Sequence, residues 1–460
     1  MSKRNKRLIY NTLIFGVGII GSKLISFFLV PIYTFYLDTA QYGYVDLVNT
    51  TLNLLVPIFS LCISEAVLRF ALDKDNDCLV VFNTGLFSIL GIGIVCFLFT
   101  QIAISLFNLT NWNIYFWVVF LQIVNTIISQ YLKTLQNNFL YALNSISISI
   151  VTLAFTLIFF DISKFGKIHS YFYALIMGYL IATVFLVSVG KIYKQIHVSC
   201  FNTSTFRKML VYTIPLIPNQ LMWWVMNLSD RFFIVHKIGT SANGLYAVAS
   251  KVPLLISIFI TVFIQAWQIS AVEERNSEDN QQFFSDVFNY LIIVSVILCS
   301  IILAFLKVII HLLVSPDFYY SWRYVPFLLL SVLFSNFSMF VGMNYLATMK
   351  TRGIFTTSLC GGIINIILNL ILIPYVGING AGISTMISFF AVWIIRIKET
   401  RTFIKMDLKI SYILFGGIVL CLQTLFIYSN LEIFSILLLP LLLFLYRTIL
   451  KKLLIFIFRK

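Results

Sequence analysis

Residues 79–106 read LVVFNTGLFSILGIGIVCFLFTQIAISL, and no Asp, Glu, Lys, Arg or His interrupts them. A helix needs about 20 apolar residues to cross the hydrocarbon of a bilayer, and this run is longer. It is also too long for a strand of an outer-membrane barrel, which alternates in polarity over about ten residues. Runs of the same kind recur along the whole chain. Counting them predicts fourteen spans: 8–35, 44–68, 79–106, 112–132, 139–160, 169–190, 209–236, 245–270, 287–312, 324–348, 353–374, 379–397, 410–429 and 431–449. The longest gaps, 191–208 and 271–286, cannot hold a soluble catalytic domain. The expected fold class is all-α: a polytopic membrane protein with about 14 transmembrane helices.

Composition agrees. Of 460 residues, 60% are apolar and 11% charged, and the mean hydropathy is +0.96. A soluble domain is nearer a quarter charged, so secreted, nuclear and cytosolic proteins are excluded. The net charge of +15 comes from 32 Lys and Arg against 17 Asp and Glu. In a soluble protein that excess would suggest nucleic acid. Here the basic residues sit in short gaps between apolar runs, which is the pattern of membrane topology, and no nucleic-acid partner is expected. The start, MSKRNKR (1–7), resembles a signal peptide, but the apolar run after it is too long and no small-x-small site closes it. It reads as a retained first helix. Fourteen spans then place both termini in the cytoplasm. With that topology 24 of the 32 basic residues fall at cytoplasmic ends, four at outer ends (Lys164, Lys167, Lys237 and Arg323) and four within spans. The seven cysteines are scattered without a C-x-x-C pair and the four histidines are isolated, so neither a disulfide, a metal site nor a cofactor is expected.

A shift of 201 residues aligns YLDTAQYGYV (36–45) with KIGTSANGLY (237–246), matching Thr39 to Thr240 and Gly43 to Gly244. The shift carries spans 1–2 onto spans 7–8. Six helices is an even separation, so orientation is kept and the halves would be parallel repeats, as in transporters whose path lies at the repeat interface. The expected organisation is a six-helix bundle over 1–208, a second over 209–405, and two appended helices with a basic tail over 406–460.

An ionisable group deep in a span costs roughly 2.5–3.5 kcal/mol, and it normally faces a cavity or a partner. Lys23 lies within span 1, Asp230 and Arg231 within span 7, and Lys251 within span 8. Three cations at comparable depth suggest a positively charged chamber, with these four residues as candidate substrate contacts. Snorkelling of Lys251 is a bland alternative. Asp230 and Arg231 point about 100° apart, which suits separate partners, so a structural salt bridge fits them as well as a substrate does. Glu65 and Arg69, four apart at the inner end of span 2, read as a structural or gating bridge. Asp46 joins them as a candidate gating or ion-pair residue, although it and Lys307 lie near enough to interfaces to be merely solvated. Asp46, Glu65 and Asp230 are the carboxylates able to carry a coupling proton. Pro31, Pro57, Pro215, Pro218 and Pro253 fall in or beside spans 1, 2, 7 and 8, where kinks suit gated helices or merely tilted ones. Gly16-x-Gly18-x-x-Gly21 matches a dinucleotide fingerprint in letters, but no strand precedes it, and close helix packing explains it.

Several stretches carry a resemblance. They are GSKLISFFLVPIYTFYLDTAQYGYVDL (21–47), LCISEAVLRF (61–70), MNLSDRFFIVHKIGTSANGLYAVASKV (226–252), FIQAWQ (263–268) and LNLILIPYVGINGAGISTMIS (368–388). Through them the chain resembles the Wzx-type polysaccharide repeat-unit flippases, a polysaccharide biosynthesis family within the multidrug/oligosaccharidyl-lipid/polysaccharide exporter superfamily. The last stretch is common across the superfamily, whereas S-D-R-F-F followed by G-L-Y-A-V-A is more particular to the polysaccharide branch. The resemblance implies two six-helix bundles around a cationic central cavity, in a bacterial or archaeal cytoplasmic membrane. The implied cargo is an oligosaccharide on a polyprenyl pyrophosphate, moved to the outer leaflet for O-antigen, capsule or exopolysaccharide synthesis. Polysaccharide polymerase and glycosyltransferases are the implied pathway partners, and a proton or sodium the coupling ion. The alternative is an ion-coupled multidrug-type exporter on the same fold, which Lys23 disfavours by repelling a cationic drug. A membrane enzyme of the pathway tends to carry a large outer loop, and no gap here is long enough, so a non-enzymatic protein is expected.

Overall fold

The computed structural model describes residues 3–73, 75–107, 112–162, 166–273, 280–347, 352–402, 404 and 406–458. Among these the secondary structure is helix, α and 3₁₀, joined by short turns. Lipid offers no partner for a free N–H or C=O, so every span must satisfy its backbone internally, and helices do this.

The chain divides into two compact units, Met1–Trp224 and Val225–Lys460. The first contains α1 (Lys3–Tyr36), α2 (Thr39–Phe59), α3 (Ile63–Ala71), α4 (Cys78–Phe107), α5 (Trp112–Thr134), α6 (Asn138–Ile162), α7 (Lys167–Val189) and α8 (Thr203–Thr213). The boundary falls inside α9 (Leu216–Leu228). The second unit continues with α10 (Asp230–Lys237), α11 (Thr240–Ala249), α12 (Leu254–Glu273), α13 (Asn280–Ala304), α14 (Leu306–Leu313), a 3₁₀ segment (Pro316–Tyr324), α15 (Val325–Ala347), α16 (Arg352–Val376), α17 (Ile378–Thr400), α18 (Ile410–Tyr428) and α19 (Glu432–Phe458). The observed boundary lies beyond the expected 208/209 because α8 packs on α3 and α4 of the first unit. Within the second unit α18 and α19 both pack on α13.

Among the described residues, each of the fourteen apolar runs lies mainly on helix. Nine helices among the described residues are long and apolar enough to cross a membrane, or up to eleven if each of two bent pairs is one span. The seventh run is divided among α8, α9 and α10, each too short to cross alone.

The two aligned motifs occupy equivalent places, with Thr39 opening α2 and Thr240 opening α11. The chain starts these helices differently. Asp38 forms a capping box, its Oδ1 accepting from the Gln41 N–H at 2.8 Å while Gln41 Oε1 accepts from the Asp38 N–H at 3.4 Å. At the matching position Gly239 has φ +127°, which an L side chain rarely adopts. Both helices then bend into their successors, by 52° between α2 and α3 and by 43° between α11 and α12. The glycine pattern of the first span is a packing feature: a Cβ on Gly18 would lie 2.6 Å from the Ala142 Cβ, so α1 meets α6 almost backbone to backbone there.

Candidate functional site

The second unit buries a carboxylate. Asp230 opens α10 directly after Ser229, is 1% exposed, and has neutral donors on both oxygens. Tyr246 Oη (α11) and Thr385 Oγ1 (α17) each donate to Oδ2 at 2.7 Å, and Asn369 Nδ2 (α16) donates to Oδ1 at 2.7 Å. The cluster extends outward. Asn369 Nδ2 also donates to Asn365 Oδ1 at 3.0 Å, Asn365 Nδ2 donates to Thr385 Oγ1 at 3.2 Å, and Ser229 Oγ lies 3.2 Å from Asn365 Oδ1. An ionised carboxylate in an apolar bundle would cost several kcal/mol uncompensated, so three charge-assisted bonds are what make this residue tolerable. The same bonds draw α10, α11, α16 and α17 to one point. Asn369 Oδ1 is buried without a hydrogen-bond partner. A set of carboxylate, amide and hydroxyl oxygens is the donor chemistry of a proton or a hard cation, not of a soft metal. Among the described residues no group of three or more His, Cys, Asp and Glu assembles, and the seven cysteines are free thiols.

Arg231 borders this cluster. Its Nη1 donates to the Asn227 carbonyl at 3.2 Å, its Nη2 makes a long 3.4 Å contact with Ser250 Oγ, and the guanidinium carbon lies 5.6 Å from the Tyr246 ring centroid. It is 7% exposed. Lys251 follows Ser250 in the turn between α11 and α12 and is half-buried. Asp230, Arg231 and the Ser250–Lys251 turn therefore meet where α10 packs on α11. Asp230 is 1% exposed, and its three donors all come from helices of its own unit.

The other expected residues lie in the first unit. Lys23 is half-buried on α1, and Asp46 is half-buried on α2. Glu65 is half-buried and Arg69 exposed one turn apart on α3, but no ion pair joins them among the described residues, so the expected bridge is not made. The structure also corrects Lys307, expected to be merely solvated. Its Nζ pairs with Glu432 Oε1 at 2.7 Å, donates to Asn430 Oδ1 at 2.8 Å and lies 4.6 Å from the Trp322 ring centroid, fastening α14 to the 3₁₀ segment and the start of α19.

Sequence reasoning missed two features. The partners of Asp230 had a signal: Asn365 and Asn369 are four apart, hence on one face of an otherwise apolar helix. Arg396, near the end of the run 379–397, counts among the 24 basic residues expected at cytoplasmic ends, yet it is 2% exposed. Its Nε donates to Thr357 Oγ1 at 3.0 Å, Nη1 to the Ser338 carbonyl at 2.8 Å and Nη2 to Ser358 Oγ at 3.1 Å, joining α17 to α15 and α16.

Known proteins resemble this chain at two levels. In sequence, a relative from Haemophilus influenzae named Lsg locus putative protein 1 is 24% identical over 267 residues, 56% of this chain and 64% of that protein. The chain thus spans less than two thirds of the curated relatives it matches. In structure, the lipid II flippase MurJ in an inward closed conformation superposes with a TM-score of 0.62 at 15% identity, covering 98% of this chain and 99% of that one. An outward-facing multidrug resistance MATE transporter superposes with a TM-score of 0.62 at 15% identity, over 87% and 96% of the two chains. At such identity these likenesses establish the fold, a polytopic helical membrane fold. The family itself is fixed by sequence: the model of the family described as polysaccharide biosynthesis protein matches residues 8–268, more than half of the chain. This multi-pass integral membrane protein belongs to the polysaccharide biosynthesis protein family.

Proposed function

We propose that the chain is a flippase for polyprenyl-pyrophosphate-linked oligosaccharide repeat units, carrying them from the cytoplasmic to the outer leaflet of a bacterial or archaeal cytoplasmic membrane. The product serves O-antigen, capsule or exopolysaccharide synthesis, with glycosyltransferases before this step and a polymerase after it. The observation that carries the reading is a buried guanidinium, Arg231, beside Lys251 in a helix bundle of a polysaccharide biosynthesis family chain. A diphosphate entering hydrocarbon needs neutralisation, and a cation at low dielectric supplies it through charge-assisted hydrogen bonds. Lys23 contributes the same charge from the first unit. MurJ, named a lipid II flippase, lends support because it is a chain of this fold whose named cargo is a lipid.

Of the two parts its place in the sequence allows, substrate contact and carrier of a coupling ion, Asp230 takes the second in this reading. Enclosed by Tyr246, Asn369 and Thr385, it is the seat of the coupling cation, a proton or sodium, while the basic residues meet the cargo. Alternating access then follows from exchange of ion and cargo between the two states. No covalent step is needed, and the protein acts as a transporter, not an enzyme.

Alanine at Arg231, at Lys251 or at Lys23 is expected to abolish surface polysaccharide while the protein still reaches the membrane. The lipid-linked unit should accumulate on the cytoplasmic side, and Arg231→Lys should retain part of the activity. Full complementation by all three alanine variants overturns the reading. Drug sensitivity in those variants with unchanged polysaccharide would point instead to a multidrug exporter.

A further inference from the structure

The first unit holds two adjoining cavities that the transport reading does not use. One, of about 470 Å³, lies at the ends of α2, α5 and α7 where the basic-residue bias puts the outside, and Gln41, Lys167 and His169 line it. The other, of about 280 Å³, continues along α2 from Val48 to Phe59, walled by α5 and by Thr100 of α4. Tyr44, Trp112 and Tyr115 line both, so the two share a wall. Beyond Phe59 and Phe116 the space narrows to about 10 Å³, which gives the lower chamber a floor. Together they reach the size of ligand sites, about 300–1,000 Å³.

The two chambers differ in chemistry. The lower one offers hydrocarbon. Its two threonines spend their hydroxyls on their own helices, Thr51 on the Leu47 carbonyl at 2.9 Å and Thr100 on the Cys96 carbonyl at 2.8 Å. Water has few polar partners there. The upper chamber offers an ammonium, an imidazole and an amide, framed by a tryptophan and two tyrosines whose hydroxyls lie 3.3 Å apart. Aromatic rings with one polar end are the residues of the membrane–water interface. From Gln41 to Phe59 is about 27 Å of helix at 1.5 Å per residue, longer than the roughly 20–22 Å of one leaflet with its headgroups, so the pair of chambers is deep enough for a headgroup and one acyl chain. The chambers lie beside a lipid-facing surface: on the same half of α4, Phe99 is 68% exposed and Leu106 70% exposed.

We propose that this pair of cavities binds one anionic phospholipid of the outer leaflet, its phosphate against Lys167 in the upper chamber and one acyl chain in the lower chamber. The commitment to an anionic headgroup rests on charge complementarity with Lys167. The commitment to a bilayer lipid rests on the apolar lower chamber and the hydrocarbon-facing surface beside it. The site lies within the first unit alone and stands whether or not the flippase reading holds.

The test is native mass spectrometry of the full chain taken from vesicles of equal parts phosphatidylglycerol and phosphatidylcholine. The expected result is one retained phosphatidylglycerol per chain. Val48→Trp fills the lower chamber and should lower that occupancy about tenfold or more. Lys167→Glu should keep a lipid but lose the preference for phosphatidylglycerol. Leu98→Trp, on the lipid-facing side of α4, should behave as the parent. If Val48→Trp fails to accumulate, Thr100→Phe narrows the chamber from the opposite wall with the same expectation. Parent-like occupancy in the chamber-filling variant, an undiminished phosphatidylglycerol preference in Lys167→Glu, or displacement of the retained lipid by an equal concentration of polyprenyl phosphate overturns the proposal.

Discussion

Arg396 shows how much one side chain can decide inside an apolar bundle. Its planar fork reaches a backbone carbonyl on α15 and two hydroxyls on α16 from a position on α17. A lysine carries the same charge on a single nitrogen and cannot hold three acceptors in that fork geometry. Gly342 leaves room for the guanidinium: a Cβ there would stand 2.8 Å from Nη1. Arg396→Lys is therefore expected to lower the thermal midpoint of the purified protein, by the equivalent of about 2–4 kcal/mol if one or two charge-assisted bonds are lost. Gly342→Ala should act in the same direction by pushing the guanidinium off its acceptors. A parent-like midpoint in both variants would mean that the fork does not hold the three helices together. Nothing in the local sequence announced this residue. Basic groups at a span's end are usually solvated, and only the fold brings Ser338, Thr357 and Ser358 around this one.

The two bends show the same outcome reached by different backbone devices. Between α2 and α3, Leu61 and Cys62 sit in the left-handed region, with φ of 47° and 53°. Each costs about 1–2 kcal/mol for an L residue, and surrounding packing must maintain them. Ser60 Oγ accepts from the Cys62 N–H at 3.2 Å, and the Ile63 N–H bonds the Ser60 carbonyl at 2.9 Å, so the turn has its own bonds. Pro57 precedes this bend but lies within α2. Between α11 and α12 the device is Pro253, which gives no N–H and disfavours helical geometry at Val252. Tight turns precede it, from Lys251 N–H to the Val248 carbonyl and from Val252 N–H to the Ala249 carbonyl. Pro253→Ala should thus straighten the second pair and lengthen the distance between spin labels at 241 and 259. Pro57→Ala should leave the distance between labels at 44 and 72 unchanged. A straightened first bend in Pro57→Ala would refute the left-handed pair as its cause. Hydropathy made the runs legible, and D-T-A-Q at 38–41 carries the capping-box pattern that starts α2, a signal that hydropathy alone does not use. The first bend was not legible, because leucine and cysteine have no preference for the conformation they adopt there.

For the whole molecule, the decisive question is what a buried carboxylate does in a transporter-like fold. Spacing singled out Asp230 as costly, but its partners lie 16, 139 and 155 positions away. Short-range patterning therefore had no means of telling a substrate contact from an enclosed cluster. The enclosed geometry favours a small cation over a bulky anionic headgroup, since three donors and three helices already fill the approach to the carboxylate. A cation bound there in the native state and not in the unfolded chain stabilises the protein by mass action, by about 2.7 kcal/mol at one hundred times its dissociation constant. The thermal midpoint should therefore rise with sodium at fixed ionic strength if sodium is the ion, and respond to acid but not to sodium if the ion is a proton. Asp230→Asn keeps the shape of the cluster and removes its charge, so it should lose whichever dependence the parent shows. Thr385→Val removes one donor while leaving the carboxylate, and should weaken the dependence without abolishing it. A parent midpoint indifferent to both sodium and acid would remove Asp230 from the coupling mechanism and leave it a structural link among α10, α11, α16 and α17. The basic residues beside it would be untouched by that result, because the proposed function assigns Arg231 and Lys251 to the cargo and Asp230 to the ion.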